Sequence, residues 1–223
     1  MKDAPLLRGP LAPRAVALLV GLVLIALAIV CMLESDLGLP PWDVFHLGIA
    51  EHTPLSLGTA SIVVGLAIVA VAWASGTPPG VGTIANAVVI GLAIDRLLAI
   101  PQVDAWSALP LAGRAGLVAA GIALFGIGSA LYIGAGLGAG PRDSLMMTLS
   151  RRTGRRIGLV RGAIEVTVLL AGLALGGVAG VGTLALALLV GPSVELSFWL
   201  LVRLRLAELV PGATPAFGPL DLG

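Results

Sequence analysis

A seven-residue string that occurs twice constrains this chain more than anything else in it. Leu37-Gly-Leu-Pro-Pro-Trp-Asp43 returns one hundred positions later as Leu137-Gly-Ala-Gly-Pro-Arg-Asp143, with Leu, Gly, Pro and Asp in register. The same offset carries Arg14 onto Arg114, Thr53 onto Thr153, Gly58 onto Gly158, Gly80-Val-Gly-Thr83 onto Gly180-Val-Gly-Thr183, and Gly91 onto Gly191, without a gap. Matches among Ala, Leu, Val and Gly arise by chance in so apolar a chain, but a shared Pro, a shared Asp and a four-residue block do not. The chain is an internal duplication, and in a membrane protein a duplication dictates architecture.

The membrane reading follows from where charge is missing. The 223 residues are 58% hydrophobic and 11% charged, whereas soluble chains carry roughly a quarter charged residues. Residues 15–33, 57–75 and 115–141 contain no charge at all, and apolar runs of about 18 or more are long enough to cross a bilayer. A net charge of +1 gives no reason to invoke nucleic acid. The one cysteine, Cys31, leaves no intrachain disulfide and argues against a metal cluster. No cofactor is expected. Lys2, Arg8 and Arg14 ahead of an apolar core imitate a secretory signal, and Ala28-Ile-Val-Cys31 faintly imitates a lipoprotein cleavage site. Val30 is too large for that site and the segment is repeated at 114–133, so it is expected to be retained as a first span.

Taken in order, 1–13 reads as a cytoplasmic lead, 14–100 as the first copy, 101–113 as an interfacial linker, 114–202 as the second copy, and 203–223 as a cytoplasmic tail expected to be disordered after Arg205. The first copy has spans at 14–33, 57–75 and 81–98, and the second at 115–134, 157–176 and 181–202. Between the first two spans of each copy lies a short segment opened by the repeated motif, 41–53 and 141–149. At about 1.5 Å per residue the longer one reaches only about 20 Å, short of the roughly 30 Å hydrocarbon core. Both are expected to be re-entrant half-helices. The fold expected is thus an all-α membrane protein of two repeats, each with three transmembrane helices and one half-helix.

Six spans with a cytoplasmic N-terminus place Lys2, Arg8, Arg14, Arg151, Arg152, Arg155, Arg156, Arg161, Arg203 and Arg205 inside. Arg96 and Arg114 fall outside, and Arg142 sits in the second half-helix. Eight full spans would distribute the charge equally well; length favours six. Because three spans per copy is odd, the copies must insert in opposite directions. The expected site is therefore an inner-membrane, multi-pass protein with both termini cytoplasmic.

Pro41 and Pro141 suit the first position of a helix, where the missing N–H costs nothing. Asp43 and Asp143 then fall in the first turn, beside unpaired amides and the positive end of the dipole. Two such ends meeting from opposite sides would form a central site; helix capping alone is the simpler account of both aspartates. Arg142 stands where the first copy has Trp42 and either neutralises Asp143 or meets an anion. His46, three residues after Asp43, is read as a partly exposed structural histidine or as a proton-relay member. Arg161 and Glu165 lie one helical turn apart in the fifth span and pair on one face, while their counterparts are Ser61 and Gly65. Asn86 completes the candidate substrate-binding residues, with Asp95 and Glu195 secondary. The Gly-Val-Gly-Thr blocks lack the lysine of a phosphate loop and read as closely packed helix starts. No nucleophile triad, metal-ligand spacing or catalytic carboxylate pair stands out, so an enzyme is not expected.

Gly38-x-x-Pro-Trp-Asp-Val-Phe-His46, Pro79-Gly-Val-Gly-Thr-Ile-Ala-Asn86 with Gly91 and Asp95, and Gly136-Leu-Gly-Ala-Gly-Pro-Arg-Asp143 together resemble the YczE/YitT-like bacterial integral membrane proteins. Arg161-x-x-x-Glu165 and Gly177-x-x-Gly-Val-Gly-Thr183 with Gly191-Pro192 extend the resemblance over about 14–202. It implies a bacterial inner-membrane protein with no appended soluble domain, and no mechanism. The leading functional expectation is a transporter or channel for a small polar or anionic solute, with the lipid bilayer as surroundings. The alternative is a non-transporting membrane partner that docks a cytoplasmic protein or anionic lipid through Arg151, Arg152, Arg155 and Arg156. Oligomeric state is not legible.

Overall fold

The computed structural model describes residues 5–209. Strand β1 (Pro5–Leu7) leads into helix α1 (Leu11–Ser35), the short α2 (Pro41–His52), α3 (Leu57–Ala74), α4 (Val81–Leu98) and α5 (Pro101–Asp104). A 3-10 turn at Ala105–Ala108 joins them to α6 (Leu111–Gly134), α7 (Pro141–Thr153), α8 (Ile157–Ala174), α9 (Val181–Arg203) and strand β2 (Ala207–Leu209). Six of these helices, α1, α3, α4, α6, α8 and α9, are long and apolar enough to cross a membrane. α2 and α7, with 12 and 13 residues, are too short.

Two expectations need correcting. The tail does not become disordered directly after Arg205: Ala207–Leu209 pairs antiparallel with Pro5–Leu7, Leu6 opposite Glu208, and Arg8 meets Glu208 at 3.2 Å. The rest of that tail, 210–223, and the first four residues of the lead lie outside the described residues. The pairing puts the two ends of the helical bundle on one side, as an even number of crossings requires. The second half-helix also runs past 149 to Thr153, where Gly154, with φ +66°, ends it in the left-handed conformation.

α1 and α6 cross at the centre, and the crossing is built on missing side chains. A Cβ on Gly21 would lie 2.6 Å from the Gly128 carbonyl oxygen, and one on Gly128 would lie 2.6 Å from that of Gly21. Small residues let helix backbones meet in a bilayer, where no hydrophobic force draws them together. The buried face of α1, Leu22, Ile25, Ile29 and Met32, fills the space between its neighbours, whereas Leu159, Val166, Leu170, Leu184 and Leu188 of α8 and α9 point outward as a lipid-facing surface does.

Contacts between the copies come in reciprocal pairs. Arg14 Nε donates to the Ala135 carbonyl at 2.8 Å, and Arg114 Nε to the Ser35 carbonyl at 2.6 Å, so each arginine secures the end of the other copy's first long helix. The Gly82 amide donates to Leu137 O at 2.9 Å and the Gly182 amide to Leu37 O at 2.7 Å. Thr83 Oγ1 donates to Ala139 O at 2.6 Å and Thr183 Oγ1 to Leu39 O at 2.7 Å. Each contact recurs with the roles of the copies exchanged, so the two copies hold each other through matching surfaces.

The copies differ in how their last two long helices pack. α3 and α4 are packed tightly: a Cβ on Gly58 would collide with the Gly91 carbonyl, and one on Gly91 with that of Gly58. Asp95 fastens the pair, accepting from the Gly58 amide at 2.9 Å and from Ser56 Oγ at 2.6 Å. The equivalent α8 and α9 are parted and scarcely touch. A Cβ on Gly158 or Gly191 would meet nothing within 4 Å, and Glu195, the counterpart of Asp95, is exposed.

Candidate functional site

The half-helices begin where each motif loop is pinned against the other copy. Gly38 and Gly138, with φ +115° and +138°, take conformations that side chains disfavour. Gly38 lies against Gly180 and Thr183, and Gly138 against Gly80 and Thr83, which leaves no room for a Cβ. Pro41 and Pro141 then start α2 and α7, so the first turns of both helices are set by the interface between the copies.

Between these starts lies a cavity of about 320 Å³. Its walls come in equivalent pairs, one from each copy: Ile25 and Phe125, Ile29 and Ser129, Trp42 and Arg142. The pairs continue with His46 and Met146, Ser61 and Arg161, Gly65 and Glu165, and Asn86 and Leu186. The positions are paired and the chemistry is not. At each of the last four positions one copy supplies the more strongly polar side chain and the other a small or apolar one.

Of the residues singled out in the sequence, Arg142, Asp143, His46, Asn86, Arg161 and Glu165 all line this cavity. Asp43 does not: it lies behind the wall, with 0% of its surface exposed. Its Oδ1 is 3.1 Å from His46 Nδ1 and 3.8 Å from Arg142 Nη2, and its Oδ2 has no hydrogen-bond partner. The two aspartates therefore do not converge as equals, because the first copy has His46 where the second has Met146, and Arg142 reaches across to Asp43. His46 is 2% exposed, which corrects the expectation of a partly exposed histidine. α2 and α7 have no side-chain hydrogen bond at their N-cap positions, Pro40 and Gly140.

The Arg142 guanidinium lies over the Trp42 ring, 5.0 Å from its centroid, a cation–π arrangement. On the second copy's side, a Cβ on Gly140 would fall 2.9 Å from the Tyr132 hydroxyl, 3.3 Å from Asp143 Oδ2 and 3.7 Å from Asn86 Nδ2. The absence of a side chain at 140 lets those three polar groups gather. Arg161 and Glu165 enter from α8 one turn apart, opposite the smaller Ser61 and Gly65 of α3. Among the described residues no three His, Cys, Asp or Glu side chains come together as a metal site requires.

Trp42, Tyr132, Ser61 and Ser129 also line the cavity and were not singled out as site residues from the sequence. Trp42 Nε1 and the Tyr132 hydroxyl are buried without a partner. Tyr132 is the only tyrosine of the chain, and a single phenol in an otherwise apolar span was the signal available.

The profile of a family described as being of unknown function (DUF6198) matches residues 12–198. The uncharacterized membrane protein YczE of Bacillus subtilis is 36% identical over 179 residues, covering 77% of this chain and 79% of that protein. An uncharacterized protein of Haemophilus influenzae is 36% identical over 173 residues, covering 76% of each chain. No solved structure matches. With the six apolar helices, these similarities show that the chain belongs to the DUF6198 family of YczE-like, multi-pass membrane proteins.

Proposed function

We propose that the protein is an inner-membrane transporter that moves a small polar or anionic solute through its central cavity without transforming it. In this reading the copies are inverted repeats, and the side on which β1 pairs with β2 is the cytoplasm, where the positive-inside rule puts Arg203, Arg205 and the arginines of 151–156. Three long helices per copy, joined by reciprocal contacts, favour inversion. A two-fold relation between copies that each cross the bilayer three times has its axis in the membrane plane.

The observation that carries the proposal is the paired lining of the cavity combined with unequal closure of the two copies. Repeat-built transporters alternate by exchanging conformations between copies about a fixed site. Here α3 is fastened to α4 while α8 stands apart from α9, so the copies occupy the two arrangements such an exchange requires. A channel would need no such difference.

Purified protein in proteoliposomes, screened for uptake of small polar solutes, tests the proposal. Uptake by the native protein that falls at least about tenfold in Asp43→Asn and in Asp143→Asn is the result expected from removing an intramembrane charge at the site. Undiminished uptake in both variants would contradict it.

A further inference from the structure

We infer that the cavity takes a small zwitterion, a solute with one cationic and one anionic group and an apolar remainder, of which an aliphatic amino acid is the simplest case. The inference deepens the transport reading and rests on it for the solute's route. What it asserts about recognition is a matter of binding.

The cavity wall carries two guanidinium groups, Arg142 and Arg161, and two carboxyl groups, Asp143 and Glu165, with His46 beside them and Asp43 just behind. Counting the four wall groups as ionised, the wall is balanced. Counting Asp43 as well, it is balanced with His46 protonated and carries one negative charge with His46 neutral. In neither state does a bare anion find surplus positive charge. Bringing net charge into a site surrounded by apolar protein and lipid is costly unless it is paired, and a zwitterion brings none.

Trp42 Nε1 can only donate and is buried without a hydrogen-bond partner, and the Arg142 guanidinium lies over the ring that carries it. The pair brings an indole N–H and a guanidinium to the cavity wall and fits a carboxylate. The Tyr132 hydroxyl gathers with Asp143 Oδ2 and Asn86 Nδ2 about Gly140. That part of the wall puts a carboxylate oxygen and a phenol oxygen together and fits an ammonium group. Ile25, Ile29, Ile68 and Phe125 also line the cavity and are available to an aliphatic side chain.

The test uses three compounds that share one aliphatic skeleton: leucine, 4-methylpentanoate, which lacks the ammonium, and 3-methylbutylamine, which lacks the carboxylate. A Trp73→Phe, Trp106→Phe, Trp199→Phe protein keeps Trp42 as its sole indole, and its emission in detergent is titrated with each compound. Thermal unfolding of the native protein with the same compounds provides a second readout should the triple variant fold poorly. Saturable binding of leucine at least about tenfold tighter than either analogue is expected, since a site built for a polar group penalises its loss. Arg142→Gln should abolish the preference over the amine, and Asp143→Asn the preference over the carboxylate. Equal binding of 4-methylpentanoate, equal binding of 3-methylbutylamine, or no saturable response in either readout would overturn the inference. Equal binding of the carboxylate would leave the transport reading standing. Leucine binding by a protein that moves no solute into vesicles would remove the transport reading and leave the binding site.

Discussion

The guanidinium of Arg142 lies 5.0 Å from the centroid of the Trp42 ring, and the two residues occupy the same position in the two copies. Both line the cavity, so equivalent positions of the two copies meet at its wall. The same arginine reaches Asp43 at 3.8 Å, so it serves both as a wall of the cavity and as a counter-charge to a carboxylate buried behind it.

Replacing Arg142 should therefore be felt in stability as well as in uptake. Arg142→Gln removes the stack on Trp42 and leaves Asp43 with His46 alone, for an expected loss of about 1–3 kcal/mol. Arg142→Lys should recover only part of this, because an ammonium on a flexible stem does not reproduce a planar guanidinium over a ring. Denaturation in detergent ranks the three proteins. Stability equal to the native protein in both variants would contradict the assigned role.

The glycines should separate by position. Gly138→Ala forces a side chain into φ +138° and against Thr83 and Gly80, with an expected cost of about 1–3 kcal/mol from the backbone alone. Gly158→Ala adds a methyl group where nothing lies within 4 Å and should change stability by no more than about 1 kcal/mol, on the stabilising side. Melting temperatures of the two variants give the comparison, and a reversed order would mean the loop is not pinned as described.

The motif that is legible as a repeated string also delimits the elements around it. α2 and α4 begin and end where expected, because Pro41 and the Gly-Val-Gly-Thr block punctuate the backbone directly. α7 overruns its expected end because Ser150, Arg151, Arg152 and Thr153 are polar. Hydropathy marks where a helix leaves the bilayer, whereas its hydrogen bonds continue until Gly154. In the site, charged residues stood out since a charge within a span is costly and so conspicuous. Trp42, Ser61, Ser129 and Tyr132 cost little there and look like ordinary packing until the fold aims them into a cavity. The burial of Asp43 was hidden for another reason. The equal motif suggested equal aspartates, and the difference arises from neighbours, His46 in its own helix and Arg142 in the other copy.

Topology is open to labelling. Thr53 and Thr153 are exposed at equivalent ends of α2 and α7. Single cysteines there, in a Cys31→Ser background, should react with an impermeant thiol reagent from opposite sides of the membrane. Labelling from one side would rule out inverted copies.

The central claim is that the parted α8 and α9 close on each other during transport, as α3 and α4 already have. Gly158→Cys with Gly191→Cys, in the Cys31→Ser background, tests it in proteoliposomes using whichever solute the uptake screen identifies. A disulfide requires the two Cα atoms to come within about 7 Å. Closure predicts that a mild oxidant forms the bond during turnover, that uptake falls to background as it forms, and that a reductant restores it. Uptake that continues undiminished with the bond in place, or a pair that never forms during turnover, would contradict the account.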